Sequence, residues 1–209
     1  YAAMTTDTAG GTLNVAVGNY ALDALTSGDG NVGVGHNALS ANSTGGDNTA
    51  IGKQAMLTNT TAADNTAVGS NALKLNTTGA SNVAIGTSSM EANTTASSNT
   101  AVGQAAMNSN TTGASNVAVG TSALIANTTG ADNIGVGHRS LYSNVTGNQN
   151  IAIGRAALDA NTASNNVAVG YTAMAANTTG TRNIAIGTNA YNSSDTENDN
   201  LAIGYDAMT

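Results

Sequence analysis

The chain has 209 residues, a formal net charge of −7, and no Pro, Cys, Trp or Phe. Only 8% of it is charged, and its hydrophobic 40% leans on Ala, which argues against a thick globular core and excludes disulfides. The five basic residues are scattered, leaving no stripe for a nucleic-acid backbone, and no apolar run approaches the ~20 residues that span a bilayer.

From the N-terminus onward one phrase keeps returning. It reads NVAVG at 14–18, NVGVG at 31–35, NTAIG at 48–52 and NTAVG at 65–69, and it continues to the end. Its closing glycines are Gly18, Gly35, Gly52, Gly69, Gly86, Gly103, Gly120, Gly137, Gly154, Gly170, Gly187 and Gly204. Every step between them is 17 residues except Gly154 to Gly170, which is 16, and the first unit, Tyr1 to Gly18, runs 18. Twelve complete units result, and YDAMT opens another. A period kept this strictly predicts one repeat array over 1–209, expected to be part of a longer fibre.

One unit, SNALKLNTTGASNVAIG (70–86), shows the roles by place. The predicted strand is Val83-Ala84-Ile85, in which Val83 and Ile85 share one face and Ala84 takes the other. Val or Ile fills the sixteenth place of every unit, whereas Thr49, Thr66 and Thr100 enter the fourteenth. The sixteenth is therefore expected to be the more buried, with Ile85 and the fourth-place Leu73 facing inward. The NALKLN portion reads equally as a short strand or a single helical turn. Glycine then allows a corner where a side chain would clash.

Asn returns at the thirteenth place as Asn31, Asn48, Asn65, Asn82, Asn99, Asn116, Asn133, Asn150, Asn166, Asn183 and Asn200. An amide repeated at one corner predicts a hydrogen-bonded ladder between coils. The fold class is thus all-β: a parallel β-solenoid of about 17 residues per coil and twelve full coils. At about 4.8 Å per coil it makes a rod roughly 55–60 Å long.

The place after each closing glycine is mixed in residue type. It holds His36, Lys53, Gln104, His138, Arg155, Tyr171 and Tyr205, a mixture that suits solvent and makes this column the candidate binding ladder. His36 and His138 lie six units apart, about 29 Å by coil rise, and cannot share a metal within one chain. Asp47, Asp64, Asp132 and Asp199 precede the ladder Asn and read as turn residues, since a calcium solenoid would need acidic ligands in nearly every coil. There is no paired-carboxylate motif, nucleophile elbow or phosphate loop, so the reading is non-catalytic, with no cofactor and no metal.

Sequons occur at Asn42, Asn59, Asn76, Asn93, Asn110, Asn127, Asn144, Asn177 and Asn192, and they read as corner asparagines rather than glycan acceptors. Adjacent threonines such as Thr77 and Thr78 would point to opposite faces of a strand and leave at most one exposed Thr rank. Ice binding, which uses ranks at i and i+2, is accordingly the minor alternative.

The phrases NVAIG, NTAIG, NTAVG and NIAIG, followed by a small-residue step and Ala, resemble the repeat of YadA-like trimeric adhesin heads. The longer ALxxNTTGxxNxAIG form is similar to repeats of phage tail-fibre and large bacterial surface proteins. The resemblance covers the whole chain, with longer units here than in the adhesin head. It implies a left-handed β-roll in which three chains pack side by side. Side-by-side packing is also expected from the residues, because each coil has only about three sizeable apolar side chains and neither end shows a polar cap. The expected function is an extracellular structural or adhesive fibre segment on a cell or virion. Its partners would be further copies of itself and a cell-surface glycan or protein receptor, without nucleic acid or membrane insertion. The alternative is a shaft carrying an enzymatic tip outside this chain.

Overall fold

The computed structural model describes residues 10–193 and 196–209. Twelve three-residue strands, from β1 (Val15–Val17) through β5 (Val83–Ile85) to β12 (Leu201–Ile203), form one parallel sheet in chain order. Each pairs with the next at an offset of one repeat, as in Val83↔Thr100, Ala84↔Ala101 and Ile85↔Val102. The chain is a parallel β-solenoid of about 17 residues per turn, with no helix among the described residues.

The inward face of the strand is the opposite of the one expected from the sequence. Ala84 is fully buried, whereas Ile85 is 39% exposed and Val83 half-buried. The small residue faces inward because the coil is only one large side chain deep. Across it lies the fourth place, where Leu39, Met56, Leu73, Met90 and their equivalents through Met174 are fully buried. Where Gly33 replaces the strand Ala, a Cβ would already come within 3.2 Å of Leu22 Cγ. The interior therefore takes one Leu or Met and one methyl, and the β-branched residues are turned outward.

The segment after the closing glycine is neither a strand nor a helical turn. It is a pair of tight turns, Gly35 to Ala38 and Leu39 to Asn42, closed by Ala38 N–H to Gly35 O and Asn42 N–H to Leu39 O at 3.3 and 3.1 Å. Positive φ recurs at the second and fourth places, as in Asn37 (59°) and Leu39 (52°), and at the twelfth, as in Asp47 (54°). Left-handed backbone at a Leu costs roughly 1–2 kcal/mol, but here it aims amides along the stack. Leu39 N–H reaches Ala55 O in the following coil, and Asn37 N–H reaches Asn19 O in the preceding one. The turns thus continue the inter-coil bonding that the strands begin, which leaves few backbone groups unpaired.

Two amide ladders run inside the coil. At the thirteenth place each Asn backbone N–H donates to the Oδ1 of the Asn one coil earlier, without a break from Asn14 to Asn200, at 2.8–3.1 Å. The second ladder, at the seventh place, is built from the sequon asparagines: Asn76 Nδ2 donates to Asn59 Oδ1 and Asn93 Nδ2 to Asn76 Oδ1, both at 2.8 Å. The ladders meet at the tenth-place carbonyl. Gly79 O accepts both Asn76 Nδ2 and Asn65 Nδ2, at 2.9 and 3.0 Å.

The short coil drops one residue from the exposed turn between the ladders. Asn177 still reaches Asn161 and Asn166 still reaches Asn150, now 16 residues apart. The one local cost is that Asn144 Oδ1 is buried without a donor.

Candidate functional site

Two surfaces are built by this repeat. The first is the strand face. Its two outward columns, twelve residues each, hold only Val, Ile and Leu with three Thr, and no charge. Alternation sends both columns to the same side because each strand is three residues long and its middle residue must be the buried Ala or Gly. Ile51, Ile85, Val119, Ile153 and Ile186 are all among its exposed side chains. An uncharged apolar strip of this length is more than the scattered apolar residues of an ordinary surface.

The second surface is the column after the closing glycine. Past the Gly corner, His36, Lys53, Gln104, His138, Arg155, Tyr171 and Tyr205 are all exposed. The corner requires glycine: Gly86 has φ +130°, and a Cβ there would stand 2.5 Å from Gly103 O. His36 meets Tyr20 edge-on, with ring centroids 6.1 Å apart. No group of three or more His, Asp or Glu that could hold a metal occurs among the described residues.

The acids before the ladder Asn are exposed turn residues. Asp199 takes a bidentate contact from Arg182, Nε and Nη2 at 2.6 and 2.7 Å, which holds its carboxyl below the ordinary value. Asp29, one place earlier in its coil, accepts the Thr12 backbone N–H at 2.6 Å and the Thr12 hydroxyl at 2.9 Å, with the same effect.

The sequon asparagines Asn42, Asn59, Asn76, Asn93, Asn110, Asn127, Asn144 and Asn177 are fully buried, so an oligosaccharide transferase cannot reach them in the folded chain. Asn192 stands elsewhere in its coil and is half-buried, and the last residue of its sequon lies outside the described residues. Of the threonine pair, the first spends its hydroxyl on the next coil's carbonyl, as Thr77 Oγ1 does on Thr94 O at 3.0 Å. The second forms a single exposed column through Thr61, Thr78, Thr95 and Thr112.

The seventh-place ladder is the main feature that sequence reasoning missed, although its Asn recurs with the same period as the thirteenth-place one. A second is the stack of Arg139 on Tyr142, held by Asp159, beside the column members His138, Arg155 and Tyr171 that the sequence did single out. No family model, curated protein or solved structure matches the chain.

Proposed function

We propose that this chain is a non-catalytic fibre segment, a left-handed β-roll whose copies pack side by side, three to a bundle, to present or space a receptor-binding surface outside a cell or on a virion. The observation that carries the reading is the uncharged strand face. Twelve strands at about 4.8 Å spacing and three residues of about 3.3 Å give a strip of about 500 Å². Joining two such strips buries about 1,000 Å², the size at which specific protein interfaces begin. A face of Val and Ile with no charged gatekeeper on either column is suited to burial rather than to solvent. The number three and the handedness come from the likeness to adhesin-head and tail-fibre repeats. The variable column beyond the glycine corner lies off this strip and remains available to a receptor.

Light scattering on the purified chain over a range of concentrations tests the reading. A mass near three chains is the expected result. A single-chain mass that persists at high concentration would overturn side-by-side packing.

A further inference from the structure

Three successive coils place His138, Arg155 and Tyr171 in one outward column, each exposed. With a rise of about 4.8 Å per coil they form one continuous strip. Arg155 Nη1 donates to the Tyr171 hydroxyl at 3.1 Å, and its Cζ lies 5.6 Å from the ring centroid. Alongside, Arg139 stacks over Tyr142 at 4.2 Å while Asp159 holds its Nε and Nη2 at 3.1 and 3.0 Å. Among the described residues these are the two guanidinium–tyrosine stacks, and both fall here. Among the described residues, Arg139 and Arg182 each pair with a carboxylate, whereas Arg155 does not.

We propose that this strip binds an acidic oligosaccharide, a chain of sugar rings bearing carboxylates. The proposal deepens the fibre reading by naming the chemistry of its receptor. The Tyr171 ring, 49% exposed, offers an apolar face on which a pyranose can lie. The Arg155 fork beside it matches a carboxylate in two parallel hydrogen bonds. Arg139, its charge paired with Asp159 and its guanidinium stacked on Tyr142, stands beside the strip, so Arg155 is the cation offered to the ligand. A pyranose ring is about as long as one coil rise, so a saccharide lying along the fibre meets one side chain per ring. The strip is open rather than a pocket, which suits a chain ligand bound along its length.

The test is fluorescence anisotropy of labelled oligogalacturonate and oligosialate titrated with the intact chain. Neutral malto-oligosaccharide and single-stranded DNA of similar length serve as controls. At least one acidic saccharide should bind, and Arg155→Ala or Tyr171→Ala should each weaken it by about tenfold or more, the loss of a charge-assisted bond or a stacking face. Arg155→Lys should fall between, keeping the charge without the fork. Lys74→Ala, in a distant coil and outside the exposed column, should change nothing. Equal thermal melting of the exposed variants separates binding from folding.

Absence of binding above the neutral control, equal binding of DNA, or indifference to both variants would each overturn the proposal. Solution mass reads assembly independently. A three-chain mass without saccharide binding removes this site and keeps the fibre. Saccharide binding with a single-chain mass removes the bundle and keeps the site.

Discussion

Asn82 shows how one residue type holds the coil. Its backbone N–H and Nδ2 both meet Asn65 Oδ1, its Nδ2 also meets Ala96 O, and its Oδ1 takes the Asn99 backbone N–H. Asn82→Ala leaves the buried Asn99 N–H without an acceptor, and a loss of about 1–3 kcal/mol is expected in a chemical-denaturation series. Gly86→Ala should cost at least about as much, since it forces a side chain into positive φ against the next coil's carbonyl. At the surface, Asp199 has a carboxyl held below its ordinary value of 3.8 by the hydrogen bond and charge of Arg182. A depressed carboxyl contributes stability that is present above that ordinary value and lost as pH falls through the lower folded one. Amide protection in the last coils, taken relative to the intrinsic exchange rate at each pH, should therefore be flat between about pH 5 and 8 and fall in acid. Asp199→Asn should remove the part of that fall due to this pair.

At the scale of one coil, the structure distinguishes residues that may be lost from those that may not. The Gly154–Gly170 coil has dispensed with the exposed ninth-place residue and kept the strand and the thirteenth-place ladder, at the loss of one rung of the seventh-place ladder, between Asn144 and Asn161. Deleting Thr78 from a regular coil should accordingly preserve the fold, at the cost of about one hydrogen bond, about 1 kcal/mol. Deleting Ala84 instead shifts the strand by one residue and turns β-branched side chains into a space sized for a methyl, so the coil should not close. Far-UV circular dichroism and melting of the two deletions check this contrast.

Across the whole molecule, the period, the parallel strands and the thirteenth-place Asn were legible in the sequence, because each depends on a repeat that can be counted. Which face of Val83-Ala84-Ile85 points inward was not, because alternation pairs Val83 with Ile85 without saying which side is the core. The usual preference for burying the larger residue gave the wrong side. Depth decides the matter: Leu73 already fills the coil, so Ala84 is the only partner that fits across it. The turn region escaped for a related reason, since its left-handed Leu and Met are held by neighbouring coils rather than by local propensity. The exposed column was readable from its mixture of residue types, but the stacking of Arg139 and Arg155 on tyrosines needs the coil-to-coil register.

The measurement that reaches furthest into this account is a paired substitution, Ala84→Asp against Ile85→Asp, each followed by circular dichroism and light scattering. Ala84→Asp should lose the β spectrum, because it buries an unpaired charge. Ile85→Asp should keep that spectrum and lower the assembled mass. An Ile85→Asp chain that unfolds while Ala84→Asp stays folded would put the core on the other side of the strand and contradict the structure described.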